Sequence, residues 1–487
     1  MSQTVINRTS INRTSIIKLW WRIALLGALV SGSFGCATSS LFMPYPGQMT
    51  ARLEALDRGE TVKEVKTGGK WNPDRLLHYL ERGRLAQISQ QDLASLEAYR
   101  SAINLFNEED LDAVVELSEI GDKGASLIVN DNAIAYKGEI FERGFVHIYQ
   151  AMNYLMTGDL EGAGVEIRRL NRVQKNALRK NEKALVKQQE KAEKKLAEMP
   201  VDVGSNQEAF DQRFASMDVE AAKLKYSFQN GFGFYVSGLV YECRGELNDA
   251  YIDYKKALEL NAGNEFVQQD VIRLAKKLGF TTDYQELNKS ITLTNLKKDN
   301  GEIIVLYERG FVPQKREVSF SIPDRSGTFI SISFPVYNQF LDERVPLTVR
   351  VNQDQFYKTQ LLAETSPMVA KALKDKRPGM MARQIARGFT KAELHHQSEK
   401  KGGVIGSFMA NIYSIITERA DLRSWLSLPN NAQLGRYQVK AGQYPLMMRD
   451  RKTGAQREIA ITVEASRKTI VYVVNTGRKL WVRSVVI

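Results

Sequence analysis

Near residue 300 the spacing of apolar side chains switches from a helical period to a two-residue one, and one kind of secondary structure cannot satisfy both. Before the switch, Leu53 and Leu56, then Leu76, Leu77 and Leu80, then Leu93, Leu96, Ala102, Ile103 and Phe106 recur at helical intervals. After it, Val318-Phe320-Ile322, Ile330-Ile332-Phe334, Val345-Leu347-Val349-Val351 and Ile459-Ile461-Val463 alternate as half-buried strands. The expected architecture is therefore α+β and multidomain. It has a helical domain over residues 49–290 and a β-rich, sandwich-like domain over 300–487. Ser366-Pro367 starts a helical insertion in the second domain, running to about residue 422.

The most informative helical stretch runs from Phe234 to Ala257. It places small residues at Gly238 and Ala250, a turn glycine at Gly245, and Tyr241, Tyr254 and Ala257 on the facing surfaces. Small residues let two antiparallel helices approach closely, and the tyrosines fill the space beside them. This pattern, with Phe234 at its head, resembles a tetratricopeptide repeat. It departs from that motif at Ser237, where Leu is usual, and at Ala262, where Pro is expected. Upstream, Gly158-Asp-Leu-Glu-Gly-Ala163 repeats the spacing of Gly245 to Ala250, with Ala151 and Tyr154 in the places of Gly238 and Tyr241. A single hairpin of this kind leaves an apolar face open, so a TPR-like α-solenoid is expected, with the helices of residues 76–120 as further layers. Residues 171–226 read as a long charged helical hairpin that turns at Pro200 and Gly204.

The first 35 residues read as an export signal. Lys18 and Arg22 precede the short apolar run Ile23–Val30, which Ser31, Gly32 and Ser33 break well short of the roughly 20 residues a spanning helix needs. Ser33-Phe34-Gly35-Cys36 resembles a bacterial lipobox, although Ser33 and Phe34 depart from its usual Leu and small residue. That resemblance implies lipidation of Cys36, and Ala37 after it implies the outer membrane of a Gram-negative cell. A conventional signal with an incidental cysteine is the alternative. Residues 36–48, with Pro44, Pro46 and Gly47, form the expected tether.

Net charge is +12, and removing the four basic residues before Cys36 leaves +8, modest for this length. Anionic envelope material suits that balance better than nucleic acid does. Two cysteines, Cys36 and Cys243, are too few for a disulfide framework. The chain carries no Gly-x-Ser-x-Gly elbow, phosphate-binding glycine loop, His-Glu-x-x-His or Cys-x-x-Cys, so no catalytic residue, metal or cofactor is expected. His395, His396 and Glu399 offer too few ligands on one face for a metal. Gly402–Ile416 reads as a core helix, with a membrane surface or a partner's groove as the alternative its apolar character allows, and it is too short to span. Glu-Arg-Gly recurs at 81, 142 and 308 with no evident role.

With Phe141–Arg169 as the most telling stretch, the whole resembles a poorly characterised group of bacterial tetratricopeptide-containing lipoproteins. The expected function is a non-enzymatic scaffold on the outer membrane, facing the periplasm. It would bind a protein or peptide partner of the cell envelope, with Arg168, Arg169 and Arg172 as contacts for carboxylates. An envelope enzyme acting on cell-wall glycan or peptide, and a lipid carrier, are the alternatives.

Overall fold

The computed structural model describes residues 40, 43–116, 131–198, 207–294, 297–323, 329–340, 344–352, 355–388 and 419–487. The first helix, α1 (Tyr45–Arg58), begins four residues ahead of the expected start. Pro44 stands at its N-cap and Pro46 in its first turn, where a missing N–H leaves no hydrogen bond unmade. There follow α2 (Arg75–Ile88), α3 (Asp92–Glu116), α4 (Ile140–Met156), α5 (Leu160–Ala197), α6 (Gln207–Ala221), α7 (Gly231–Cys243), α8 (Leu247–Leu260), α9 (Glu265–Leu278) and α10 (Thr281–Leu287).

Four of the inter-helix turns are built alike. Gly158, Gly245 and Gly279 take φ of 80°, 80° and 77°, and Gln90 takes 62° in the equivalent place. At each turn the next residue's N–H reaches back to the carbonyl five positions earlier: Asp159 to Tyr154, Glu246 to Tyr241, Phe280 to Ala275 and Gln91 to Ala86, at 2.8 to 2.9 Å. This left-handed C-terminal cap turns the chain back on itself. The close approach behind two of these turns is also shared. A Cβ on Gly238 would lie 2.6 Å from the Tyr254 ring, and one on Gly83 would lie 2.5 Å from that of Tyr99. Ala250, Tyr254 and Ala257 are fully buried, and Tyr99 and Ala102 are their counterparts in the first pair. Thus α2 packs on α3, α4 on α5 and α7 on α8, and neighbouring pairs stack through α3 on α4 and through α5 on α7.

The strands are β1 (Asn300–Arg309), β2 (Arg316–Pro323), β3 (Phe329–Val336), β4 (Leu347–Arg350), β5 (Phe356–Lys358), β6 (Gln360–Glu364), β7 (Asn431–Lys440), β8 (Gly442–Asp450), β9 (Gln456–Val463), β10 (Lys468–Asn475) and β11 (Leu480–Val486). Helix α11, over residues 366–388, lies between β6 and β7. Five strands make the central sheet in the order β11-β10-β1-β7-β6, and four make a second sheet in the order β5-β4-β8-β9. β1 and β10 are parallel, from Glu302 opposite Lys468 to Arg309 opposite Asn475.

Alternation along the central strands separates two cores. Ile304 and Leu306 of β1, Leu434 of β7 and Ile470, Tyr472 and Val474 of β10 join the core shared with the helices. Ile303, Val305, Val471, Val473 and Val439 instead meet Leu347, Val349, Leu446, Met448 and Ile461 of the second sheet. Helices, central sheet and second sheet are therefore three layers, and the helical and β-rich regions share an apolar core instead of folding apart. Residues buried on both faces read as continuous apolar runs, which explains why β1 and β10 show little alternation.

Helix α6 departs from the expected charged hairpin. Its Phe210 stacks on Phe320 of the β2–β3 hairpin at 4.0 Å, Phe214 packs beside Phe334, and Asp218 pairs with Arg377 of α11. The apolar face of this segment is thus spent on the β-rich region, because two aromatic rings bury more surface there than the thin stripe of the long helix offers. The helical insertion is described as far as residue 388, and Gly402–Ile416 lies outside the described residues.

Buried charges join helices to sheet. Glu308 of β1 is fully buried and accepts from the Arg84 guanidinium of α2, from Tyr149 Oη of α4 at 3.0 Å and from Tyr472 Oη of β10 at 2.5 Å. At the other end of β1, Arg436 of β7 pairs with Glu302 at 2.8 Å, Asp270 at 2.8 Å and Glu242 at 3.2 Å, and Arg273 and Lys468 also bind Glu242. Removing one partner strands the other charge in the interior. Arg84→Met is therefore expected to lose about 3–5 kcal/mol of stability in urea unfolding, and Arg84→Met with Glu308→Met to regain most of it. A single variant as stable as the parent would remove this account.

Candidate functional site

A groove of about 950 Å³ lies between α3 and α5, floored by α4. Arg143, His147, Gln150 and Tyr154 line it from α4, at the alternating four- and three-residue steps that keep one helical face together. From α5 come Glu166, Arg169, Arg172 and Asn176, and from α3 come Arg100, Asn104 and Asn107, with Lys137 and Glu139 at the start of α4. Tyr154 also closes on Gly162, where a Cβ would lie 2.7 Å from its ring.

Basic side chains outnumber acidic ones here. Arg100, Lys137, Arg143, Arg169 and Arg172 face the groove beside Glu139 and Glu166. Both acids are already engaged: Glu139 meets Lys376 at 2.6 Å, and Glu166 meets Arg169 at 2.7 Å and His147 at 2.7 Å. His147 donates from Nδ1 to Glu166, which leaves Nε2 as its second ring nitrogen in the groove wall. Gln150, 2% exposed, donates to the Leu96 carbonyl at 3.3 Å, and its Oε1 is buried without a hydrogen-bond partner among the described residues. Guanidinium groups along the groove suit a ligand bearing carboxylates.

The back of α4 is fixed by the recurring Glu-Arg-Gly tripeptides. Glu81, Glu142 and Glu308 are all fully buried. Glu81 accepts from the N–H groups of Leu426 at 2.6 Å and Ser427 at 3.2 Å and from Ser427 Oγ at 2.5 Å. Glu142 accepts from Trp425 N–H at 3.0 Å, Tyr136 Oη at 2.6 Å and Glu139 N–H at 2.9 Å. Arg423 ties the same segment to Asp74 at 3.1 Å and to the carbonyls of Ile134 and Asp131 at 2.9 and 2.8 Å. Burial pushes the Glu81 carboxyl up to about 7 against the hydrogen bonds from Ser427 and Leu426, with nearby Glu142 adding to the rise. Burial raises Glu142 as well, followed by the charge of Glu139.

Of the arginines expected to meet a partner, Arg169 and Arg172 line this groove, and Arg168 is exposed outside the lining. The packing set of Phe234, Gly238, Tyr241, Gly245, Ala250, Tyr254 and Ala257 builds the α7–α8 pair, away from the groove. Cys243, on α7, is a half-buried thiol pushed up to about 11 by desolvation. Cys36, His395, His396 and Glu399 lie outside the described residues. Sequence reasoning missed Arg100, Arg143, His147 and Gln150; for the last three, their shared helical face was the available signal. Among the described residues no group of three or more His, Cys, Asp and Glu side chains is placed to hold a metal, and no helix is long and apolar enough to cross a membrane. Comparison with protein-family models, with curated proteins and with solved structures gave no match to this chain.

The Glu81 shift has a signed consequence. The folded state keeps a proton that the unfolded chain releases near pH 4.5, so this group's stabilising contribution is complete below that pH and is lost as the pH rises through about 7. Chemical unfolding between pH 5 and 8 is expected to show stability falling with pH, with a shallower slope in Glu81→Gln. Equal slopes in parent and variant would contradict it.

Proposed function

We propose that this protein is an outer-membrane lipoprotein, facing the periplasm, that serves as a non-enzymatic scaffold. Its helical pairs, of tetratricopeptide kind, hold an acidic peptide segment of an envelope partner in the α3–α5 groove. The observation that carries this reading is the excess of basic side chains along the groove. The repeat reading draws support from the turns at Gly245 and Gly279, which stand 34 residues apart, the length of that motif. Planar guanidinium groups bind carboxylates in a bidentate manner that lysine does not match.

The His147–Glu166 pair favours one alternative, a hydrolase of envelope glycan or peptide with His147 as general base. Turnover of purified cell wall, abolished by His147→Gln, would establish it.

Two outcomes are expected. A short fluorescent peptide rich in Asp and Glu binds the full chain, and Arg169→Glu with Arg172→Glu weakens it by about tenfold or more, the change that 1.4 kcal/mol produces. Equal binding of an acidic and a lysine-rich peptide in anisotropy measurements would overturn the assignment. Cys36→Ala is expected to move the protein from the membrane to the soluble fraction, because two or three acyl chains hold far more firmly than one. An altered protein that still sediments with outer membranes would show that lipid does not hold it.

A further inference from the structure

The loop before α2 presents Trp71 to solvent at 91% exposure, the highest of any large apolar side chain among the described residues. The loop is formed, not slack: Asn72 Nδ2 donates to the Thr67 carbonyl at 3.2 Å, Asn72 N–H to Gly69 at 3.0 Å, and Asp74 N–H to Asn72 Oδ1 at 2.9 Å. Gly68 turns it at φ 70°, and a Cβ there would strike the Asn72 side chain. Lys66 and Lys70 beside Trp71 are exposed. The nearest acids in sequence are already paired, Asp74 with Arg423 at 3.1 Å and Glu64 with Arg82 at 2.7 Å.

The same loop receives the beginning of the described chain. Ser40, 5% exposed, donates its N–H to Asp74 Oδ2 at 2.6 Å, and Asp74 is itself fully buried against Arg423. The expected tether is therefore tied down four residues after Cys36. Four residues span at most about 14 Å, and the three from Asp74 back to Trp71 at most about 10 Å. Met43, 45% exposed, shares a hollow with Lys66 on this side.

We propose that the 66–71 loop docks on the surface of a phospholipid bilayer, with the Trp71 indole at headgroup depth and Lys66 and Lys70 against anionic lipid. Tryptophan is favoured at that depth because its body is apolar and its N–H stays wet, and lysines there are drawn to negative surface charge. The inference rests on the Cys36 anchor proposed above: so short a free tether keeps the loop within about 30 Å of the membrane. The scaffold is then held in one orientation, not swung on a leash.

The test uses the full-length lipidated protein in vesicles of zwitterionic and anionic phospholipid, some brominated high on the acyl chain. Tryptophans 20 and 21 precede Cys36 and are lost with the signal, which leaves Trp71, the buried Trp425 and the partly buried Trp481 as emitters. Brominated lipid is expected to quench the emission in part, with most of that quenching lost in Trp71→Phe and reduced in Lys66→Glu with Lys70→Glu. Sedimentation with vesicles reads the anchor separately. Protein that sediments while parent and Trp71→Phe are quenched alike overturns the docking and leaves the anchor standing. Protein that fails to sediment overturns both.

Discussion

Ionic contacts at the two ends of one face of β1 set the relation of the helices to the central sheet. Along that face Glu302 and Glu308 bracket Ile304 and Leu306; Glu302 is met by Arg436 and Lys468, and Glu308 by Arg84 and the hydroxyls of Tyr149 and Tyr472. An apolar stripe alone would let the helices slide along the sheet, since hydrophobic contact has no direction. A buried carboxylate has direction, because misplacing it by an ångström or two leaves a charge without a partner. Glu308 fixes α2 and α4, and the Arg436 group fixes α7 and α9, so both helical blocks are registered on one strand.

That registration frees the other side of the helices. α4 spends its back on Trp425, Glu308 and the segment after residue 419, and keeps Arg143, His147, Gln150 and Tyr154 toward the groove. A recognition surface on a helix held this firmly loses little conformational freedom when a ligand arrives, which is how a modest number of contacts yields useful affinity. None of the described groove residues belongs to the second sheet, which serves as backing for the central one.

The change of period near residue 300, the α7–α8 pair and its copy in α4–α5 could all be read from local spacing, because their signals lie within one hairpin. Arg169 and Arg172 were placed by the same logic. The α2–α3 pair was seen as helices but not as a third copy, for its turn uses Gln90 in the left-handed region where the others use glycine. Glu81, Glu142 and Glu308 stood out as a repeated tripeptide, yet their burial depends on partners hundreds of residues away. The parallel pairing of β1 with β10 and the stacking of Phe210 on Phe320 escape a local reading for the same reason. Pattern reports which face is apolar, and distant closure decides what covers it.

Helix α1 is stitched to the last strand of the chain. Trp481 Nε1 donates to the Leu56 carbonyl at 3.3 Å, Arg478 N–H donates to Asp57 at 2.5 Å, and Arg483 of the same strand grips Asp92 at the start of α3. Helix α1 and the last strand thus share one mechanical clasp. A pull delivered at α1 passes into β11 and, through its ladder with β10, into the central sheet. Stacked helical pairs loaded end to end would peel apart one by one; here the load bypasses them.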